Sequence, residues 1–238
     1  MDLLVIINKW TKYLIMKRLS FVIILLLMSS VCFAQQLWPR MDNATGKYGY
    51  VDSLSQWVIS PCFDHAKKFE GDYAMVTSYH NGDANDRRYG FINKKGDLIV
   101  KPIYHKVSGP FDGLFRVQQR SDEEWFFLNE KGKKAFKKGF YYVGDFHCGF
   151  AVFAVKDKDT SKVRYGYINR KGNVVIEPIF AFAYNYKDGY GKVAAGEQFQ
   201  SSMFGYFDDK GEIVVPCWYT LEIADIELEK YKNSLRQE

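Results

Sequence analysis

Aromatic and aliphatic residues recur along residues 47–219 in short alternating runs that are separated by polar turns. The clearest run has the form aromatic, glycine, aromatic, aliphatic, then Asn or Asp. The chain carries five variants of it, which are Tyr48–Asp52, Tyr89–Asn93, Trp125–Asn129, Tyr165–Asn169 and Phe204–Asp208. Alternation with a period of two is typical of a β-strand. We name this segment strand A and expect its two aromatic side chains to share one face, with the glycine on the other.

The spacing of strand A predicts a repeat protein. The second positions of the five runs are residues 49, 90, 126, 166 and 205, which lie 41, 36, 40 and 39 residues apart. A period of about 40 residues is typical of an array in which each unit buries its apolar face against its neighbours.

Each copy continues into a second apolar run, strand B, through a polar turn. A glycine suited to a type I turn with a left-handed last residue stands in four of the turns, at Gly96, Gly132, Gly172 and Gly211. Ser55 replaces it in the first copy, so we expect a looser turn there. Proline has no backbone N–H to donate to a neighbouring strand, so strand B should end at its proline or lie at a sheet edge. These prolines are Pro61, Pro102, Pro178 and Pro216. The third copy has no such proline and is the degenerate one.

A third run, strand C, follows about ten residues later and has an aromatic residue, then a glycine, then alternating apolar positions, as in residues 69–76 and 146–152. The C-to-A connections are polar and variable in length, which is typical of exposed hairpin tips. Residues 37–41 could supply a C-like strand before the first strand A, and the order C-A-B would then give five three-stranded meanders.

The glycine of strand A has a separate implication. A glycine weakens a strand unless another group approaches it closely, so we expect a close neighbour at this position.

The predicted fold class is all-β, with about five three-stranded antiparallel meanders stacked as an open twisting array. A five-bladed, propeller-like ring is the alternative; propeller blades usually have four strands. The repeat domain spans 35–220, with repeats near 47–87, 88–123, 124–163, 164–202 and 203–219. Residues 221–238 carry a helical stripe of Leu221, Ala224, Leu228, Tyr231 and Leu235, which predicts a helix that caps the last repeat.

These motifs resemble the WG-repeat family of bacterial proteins. The similarity covers residues 47–219 and includes the aromatic-Gly-aromatic run, the glycine turn, the proline and the Phe-x-x-Gly-x-Ala-x-Val pattern. The Trp-Gly dipeptide does not occur; Tyr-Gly, Phe-Gly and Trp-Phe take its place. The resemblance implies an all-β array, often exported, and supplies no catalytic residue.

The N-terminal segment predicts export. Residues 16–34 combine Met16-Lys17-Arg18, an apolar stretch and a small-residue end, as in a secretory signal peptide with cleavage after Ala34. Residues 1–15 are expected to be upstream of the natural start. An uncleaved anchor, or a lipid attached to Cys32, is the alternative; the stretch is short for a membrane span.

Charge argues against nucleic acid as a partner. The formal net charge of the chain is +5, but residues 1–34 hold four basic residues and one acidic residue, so the remaining chain has 29 basic and 27 acidic residues. Phosphate binding needs a stronger basic surface. A modest basic rim remains at the A–B turns, from Lys94-Lys95, Lys131, Lys133-Lys134 and Arg170-Lys171.

Three cysteines follow the predicted cleavage site. Cys62 and Cys217 follow prolines where other copies have Ile103 and Ile179, so we expect them to be small buried apolar residues. A disulfide between the first and fifth copies would require ring closure. Whether Cys62, Cys148 and Cys217 form any disulfide is left open.

No catalytic motif is present in the sequence. His65, His80, His105 and His147 lack metal-ligand spacing, and His65 and His105 sit in matching connections. Residues 81–86 mimic the start of a calcium loop, echoed by Asp157, Asp159 and Ser161, but Asp86 stands where such loops have glycine and Ile92 where they have glutamate. We therefore name no catalytic, cofactor-binding or metal-binding residue and expect no cofactor.

The sequence predicts an exported, non-enzymatic β-repeat protein that binds a protein or a glycan at the cell envelope, in the periplasm, at the outer envelope or outside the cell. The hairpin tips would form its contact surface. A structural envelope component without a discrete ligand is one alternative, and a hydrolase of envelope polymers is another. The motif aromatics serve as core or, alternatively, as a platform for sugar rings.

Overall fold

The structure, a computed structural model, describes residues 36–197 and 201–237. The described residues form five antiparallel sheets, one α-helix and a short 3-10 helix at His80–Gly82. The first sheet consists of β1 (Trp38–Met41), β2 (Tyr48–Val51) and β3 (Trp57–Phe63). The second consists of β4 (His65–Ala66), β5 (Tyr73–Tyr79), β6 (Arg87–Asn93) and β7 (Leu98–Tyr104). The third consists of β8 (Lys106–Phe111), β9 (Leu114–Gln118) and β10 (Trp125–Asn129).

The fourth sheet consists of β11 (Tyr142–Val143), β12 (Phe150–Lys156), β13 (Val163–Asn169) and β14 (Val174–Phe180). The fifth consists of β15 (Phe182–Ala183), β16 (Gly191–Ala195), β17 (Met203–Phe207) and β18 (Ile213–Tyr219). Helix α1 (Leu221–Leu235) comes last in the chain. The predicted N-terminal leader lies outside the described residues.

Every sheet is a meander in which strand C pairs with the strand A that follows it, and the predicted order C-A-B is confirmed in four of the five sheets. The pairs are β1–β2, β5–β6, β9–β10, β12–β13 and β16–β17. A sequence copy therefore gives its strand A, and its strand B where it has one, to one sheet and its strand C to the next. Neighbouring copies of the sequence are thus joined by the hydrogen bonds within each sheet.

The prediction of three strands in every sheet was incomplete. A two-residue strand in the B-to-C connection pairs with strand C in three sheets, as β4, β11 and β15. The third sheet has the longer β8 in this place and no strand B, which agrees with its degenerate sequence. These B-to-C strands are too short to show a period-two alternation in the sequence. They still form hydrogen bonds, because strand C has one edge free to pair.

The motif aromatics form the core between sheets, as one of the two interpretations predicted. The second aromatic of each strand A is buried, at Tyr50, Phe91, Phe127, Tyr167 and Tyr206. The first four belong to the apolar clusters shared with the following sheet, and Tyr206 packs in the cluster that includes α1. The next residue of each run points the other way and is also buried, at Val51, Ile92, Leu128, Ile168 and Phe207.

The five clusters support the open array. Four of them join neighbouring sheets, and the fifth joins the last sheet to α1 through Ala224 and Leu228. None of these clusters, which cover the described residues, joins the first sheet to the fifth. Leu221 and Leu235 of the predicted helical stripe are exposed, so the helix buries a narrower face than the sequence indicated.

Buried tyrosine hydroxyls of three strands A bond to the next element of the array. Tyr50 donates to the carbonyl of Lys67 at 2.7 Å, and Tyr167 donates to the carbonyl of Lys192 at 2.8 Å. Tyr206 donates to the Asp225 carboxylate of α1. Burial raises the pKa of both Tyr50 and Tyr167. These hydroxyls therefore stay protonated and satisfy backbone acceptors inside the core.

Two outcomes were predicted for strand B: it ends at its proline, or it lies at a sheet edge. The structure shows the second, since strand B is an edge strand and continues past its proline. Strands β3, β7 and β14 continue two residues beyond the proline, after a register shift. In β18 the register pairs Tyr206 with Val215 and Phe204 with Tyr219. This places Cys217 in the proline position and Trp218 where other copies have isoleucine, one residue away from the predicted alignment.

The turn that follows strand A has the predicted geometry in all five copies. The Asn or Asp that ends strand A accepts hydrogen bonds from the backbone N–H groups two and four residues later, through Oδ1 of Asp52, Asn93, Asn129, Asn169 and Asp208. The prediction of a looser first turn was wrong. Ser55 adopts a φ of 61° like the glycines, because Asp52 forms the same hydrogen bonds.

The prediction that Cys62 and Cys217 are buried was also wrong. Cys62 and Cys148 are exposed and Cys217 is half-buried; all three are free thiols. Cys62 occupies the position after the proline, where Ile103 and Ile179 are exposed as well. This position lies on an edge strand and points to solvent, so an apolar residue type there does not indicate burial.

Candidate functional site

The two ends of the strands differ in character, and we name them. At the tip end, strands C end and strands A begin. They are joined by hairpin tips at residues 42–47, 80–86, 119–124 and 157–162, and the described residues of the fifth tip are 196–197 and 201–202. At the turn end, strands A pass into strands B. Strand B also finishes at the tip end, so residues after its proline lie beside the tips.

Neighbouring tips are fastened to one another by polar contacts. Asp64 accepts a hydrogen bond from the N–H of Tyr79 at 2.8 Å and pairs with Lys47 of the first tip. Burial alone would raise the pKa of the Asp64 carboxyl, but the bonds from Lys47 and Tyr79 outweigh it and hold the pKa below its ordinary value. Lys162 of the fourth tip pairs with Glu197 of the fifth, and this pairing lowers the pKa of the Glu197 carboxyl.

A pocket of about 400 Å³ lies at the tip end between the second and third sheets. Its lining comes from the end of β5, the second tip, the start of β6, the end of β7 and the third tip. The lining residues are Ser78, Tyr79, His80, Asn81, Arg88, Pro102, Ile103, Gln119 and Arg120. Since two consecutive repeats supply these residues, the pocket exists only when the sheets are stacked.

The two arginines of the pocket have different surroundings. The Arg88 guanidinium pairs with Asp86 at 2.8 Å and donates to the carbonyl of Gln119 at 3.2 Å, which joins the second tip to the third. The side chain of Arg120 is 73% exposed, and its Nε lies 3.8 Å from Glu123. None of the lining residues is Asp or Glu. The pocket is therefore basic, with Arg88 held in place and Arg120 open to solvent.

Exposed apolar side chains accompany the pocket along the tip end. Ile103 of β7 is 49% exposed, and the matching residues of the fourth and fifth sheets, Ile179 and Trp218, are 69% and 76% exposed. Each of the three immediately precedes the residue of strand B that pairs with the first aromatic of strand A. The tip end thus presents one apolar side chain on each of these three sheets.

The four histidines are spread over the array. His80 lines the pocket, whereas His65 stacks on Tyr48 with ring centroids 4.8 Å apart and His147 lies 5.8 Å from Phe111. His105 donates its backbone N–H to Gln118, the bond that Asp64 makes to Thr77 in the preceding sheet. His65 and His105 therefore lie in matching B-to-C connections, as predicted, but one residue out of register.

The two segments that echo a calcium loop use their carboxylates within the tips. Asp83 accepts a hydrogen bond from the N–H of Asn85 at 2.8 Å, and Asp86 pairs with Arg88. Asp157 accepts hydrogen bonds from Asp159 and Thr160, and those from Thr160 lower the pKa of its carboxyl. Within residues 36–197 and 201–237, no group of three His, Cys, Asp or Glu side chains is placed to hold a metal ion.

Two lysines of the basic rim at the turn end have partners within the protein. Lys94 pairs with Asp72 at 2.9 Å, and the ammonium group of Lys134 lies 3.7 Å from the ring centroid of Phe126. These two ammonium groups therefore already have a partner within the protein. The rim therefore offers a weaker attraction for an anion than its lysine count implies.

Sequence reasoning predicted the hairpin tips as a surface but missed the pocket. Arg88 lies just after the second tip, and Gln119 and Arg120 belong to the third; these segments differ between copies. Ile103 was predicted to be buried by its residue type. The signal in the sequence is positional: Arg88 lies at the start of the strand A after the second tip, and Arg120 follows the strand C that leads into the third tip, so both lie at the tip end. Their convergence depends on how one sheet stacks on the next.

No helix in the described part of the chain has the length and apolar character of a membrane span. No curated protein matches the chain. One solved structure, described as "Crystal structure of the eukaryotic initiation factor", is similar at a TM-score of 0.46 and 11% identity over 76% of this chain and 50% of that chain. The chain thus spans about half the length of that structure.

A family sequence profile described as "WG containing repeat" matches the chain four times, at residues 48–78, 89–121, 125–158 and 165–196. Each match begins at strand A of one sheet and ends in or just after strand C of the next. The fifth A and B strands, β17 and β18, repeat the same geometry beyond the last match. The chain belongs to the family of proteins built from WG containing repeats.

Proposed function

We propose that this protein is an exported, non-enzymatic binding module of the cell envelope, and that its tip end contacts a protein or a glycan. The observation that carries the proposal is the pocket of about 400 Å³ between the second and third sheets. Its volume lies in the range of small-molecule sites, roughly 300–1,000 Å³. The fastened tips give the surface a fixed shape before any ligand arrives, which reduces the entropic cost of binding.

Export is proposed from the sequence of residues 16–34, with Gln35 as the first residue of the mature chain. The near-neutral charge of the remaining chain favours a partner other than nucleic acid. Intact-mass measurement of the protein recovered from cells tests this proposal. A mature N-terminus at Gln35 supports it, whereas a chain retaining residues 1–34 contradicts it.

The proposal of binding without catalysis rests on the composition of the pocket. Hydrolysis of a glycosidic bond usually requires two carboxyl groups on either side of it. The lining residues contain no carboxyl group, and two acidic side chains beside them, Asp86 and Glu123, pair with its arginines. Incubation with cell-envelope polysaccharide should therefore release no new reducing ends.

The experiment that tests the function is retention of cell-envelope glycan and protein fractions on immobilised protein. We expect Ile103→Glu at the tip end to reduce retention and Leu98→Glu at the turn end to leave it unchanged. Ile103 and Leu98 make a matched pair because they are exposed residues of the same strand β7, 49% and 48% exposed. Equal retention by both variants and the unmodified protein would contradict a tip-end site.

A further inference from the structure

We propose that the pocket between the second and third sheets recognises a carboxylate-bearing sugar unit, and that the ligand of this protein is an acidic glycan. This inference rests on the proposed binding function and adds the chemical class of the ligand. The shared chemistry of such units is a planar carboxylate next to a ring with several hydroxyl groups. The pocket contains groups suited to each of these two parts.

Arg120 is the group best suited to the carboxylate. A guanidinium presents its N–H donors in a planar fork that matches the two oxygens of a carboxylate. Arg88 already donates to Asp86 and to the Gln119 carbonyl, whereas the one ionic contact of Arg120 is long, at 3.8 Å, and mostly exposed. Arg120 can therefore turn toward a ligand without breaking a short hydrogen bond.

The rest of the lining suits hydroxyl groups. Asn81 and Gln119 carry side-chain amides, Ser78 and Tyr79 carry hydroxyls, and His80 carries an imidazole. Each amide or hydroxyl can both donate and accept, which is what a sugar hydroxyl needs from its partner. The lining itself contains no Asp or Glu; Asp86 balances the charge of Arg88, whereas the exposed Arg120, whose contact with Glu123 is long, favours an acidic unit over a neutral one.

The edge of β7 argues against an acidic peptide as the occupant. A peptide that binds beside a sheet usually adds a strand through a run of main-chain hydrogen bonds. Pro102 lies in the stretch of β7 that lines the pocket and has no N–H to donate. The register shift between Phe91 and Tyr89 also breaks the regular ladder of β7 at this point. Strand addition is therefore obstructed where the pocket lies.

The experiment is calorimetric titration of the purified full chain with three probes of similar length. These are an oligogalacturonate, a neutral galactose oligomer and an oligoglutamate peptide. We expect the oligogalacturonate to bind, its affinity to fall as salt increases, and the other two probes to bind at least about tenfold more weakly, which is about 1.4 kcal/mol. Titrating each probe into the Arg120→Gln and Arg87→Gln variants shows whether the ligand contacts Arg120 in the pocket.

Arg87 is the matched control for Arg120. It is an exposed arginine beside the second tip, its Nε donates to the Ala84 carbonyl, and it does not line the pocket. Arg120→Gln should weaken oligogalacturonate binding about tenfold or more, and Arg87→Gln should change it less than about twofold. Arg120→Lys should give an intermediate loss, since the charge stays and the planar fork is removed.

Each other outcome overturns the inference in a distinguishable way. Equal binding of the neutral and acidic oligomers would keep glycan binding and reject the acidic class. Binding of the oligoglutamate alone would keep the tip end as a site and assign it to protein. Binding of oligogalacturonate that both arginine variants weaken equally would reject the pocket and indicate general charge attraction. No binding of any probe would reject the inference, while tip-dependent retention of envelope fractions would still support the proposed function.

Discussion

Gly90 and Pro102 stand face to face across β6 and β7, so closely that Gly90 has no room for a side chain. A Cβ on Gly90 would lie 2.7 Å from the nitrogen of Pro102 and would overlap the carbonyl oxygen of Val100. The same approach recurs at Gly49 with Pro61, at Gly166 with Pro178 and at Gly205 with the nitrogen of Cys217. The glycine of the repeat motif is therefore required by the bulge in the neighbouring strand.

The third copy, which lacks both the glycine and the bulge, supports the same relationship. It has Phe126 in place of the glycine, and it has neither the proline nor a strand B in its sheet. With no bulge opposite, a large side chain fits, and Lys134 lies over its ring. The glycine and the bulge are thus lost together, as a steric cause requires.

Gly90→Ala should lower the free energy of unfolding by about 1–3 kcal/mol or more, because the new methyl group must displace backbone rather than a flexible side chain. Urea denaturation followed by fluorescence measures the change. Gly144→Ala is the control, since the nearest atoms to its added Cβ would be at 3.8 Å, in ordinary contact. Equal effects of the two substitutions would show that the close approach is not the cause.

Ser55→Gly should raise the free energy of unfolding by about 0.5–1 kcal/mol. Ser55 has a φ of 61°, a left-handed conformation that costs a residue with a side chain about 1–2 kcal/mol, and the other copies have glycine there. The gain is smaller than that cost because glycine also increases the entropy of the unfolded chain. Thermal unfolding measures it. Ser53→Gly, in the same turn without a positive φ, should not stabilise the protein.

Asp64→Asn should destabilise the protein by about 1–2 kcal/mol at pH 7, since it removes the partner of Lys47. The pKa of Asp64 is lowered in the folded state, so its contribution is complete above the unfolded pKa of about 3.9 and is lost as the pH falls through the lower folded value. The difference between the two proteins should therefore shrink below about pH 4. Denaturant titrations at pH 7, 5 and 3 measure this.

Asp72→Asn serves as the comparison for Asp64. Asp72 also pairs with a lysine, Lys94, but its side chain is 80% exposed, and such pairs contribute about 0–1 kcal/mol. Its substitution should have little effect at any of the three pH values. A loss at pH 7 as large as that of Asp64→Asn would contradict the role given to the bonds that fasten the first and second tips.

The free cysteines should react in the native protein in an order that follows exposure. Cys148 and Cys62 are exposed and Cys217 is half-buried, so Cys217 should be modified last. Burial raises the pKa of the Cys62 and Cys217 thiols, which lowers their reactive thiolate fraction near neutral pH. A pulse of N-ethylmaleimide followed by peptide mass mapping resolves the three sites. Early modification of Cys217 would contradict the packing of β18.

Leu228→Ala should destabilise the protein by about 2–5 kcal/mol, because Leu228 is buried between α1 and the last sheet. Ile226→Ala on the same helix should change stability by less than about 0.5 kcal/mol, since Ile226 is 51% exposed. Chemical denaturation compares the two variants. Similar losses would mean that helix propensity, rather than capping of the array, determines the contribution of α1.

Much of this fold follows from local chemistry that the sequence displays. The alternation in Tyr165–Asn169 predicts a strand with a buried face, and Asn169 with Gly172 predicts the turn that ends it. Repetition of these short patterns about every 40 residues predicts the array. Export with cleavage after Ala34 and the absence of a catalytic role remain predictions from sequence, which intact mass and incubation with envelope polysaccharide test.

Stacking decided the rest, because it brings together residues that no local pattern connects. Arg88 and Gln119 meet through two different sheets, and the basic pocket results from that meeting. Cys62 looks like a core residue by type but lies on an edge strand, so its exposure depends on what packs beside it. Hydrophobic periodicity and turn chemistry act over a few residues and are readable in order along the chain; the tip-end surface depends on distances between sheets, which only the packed structure sets.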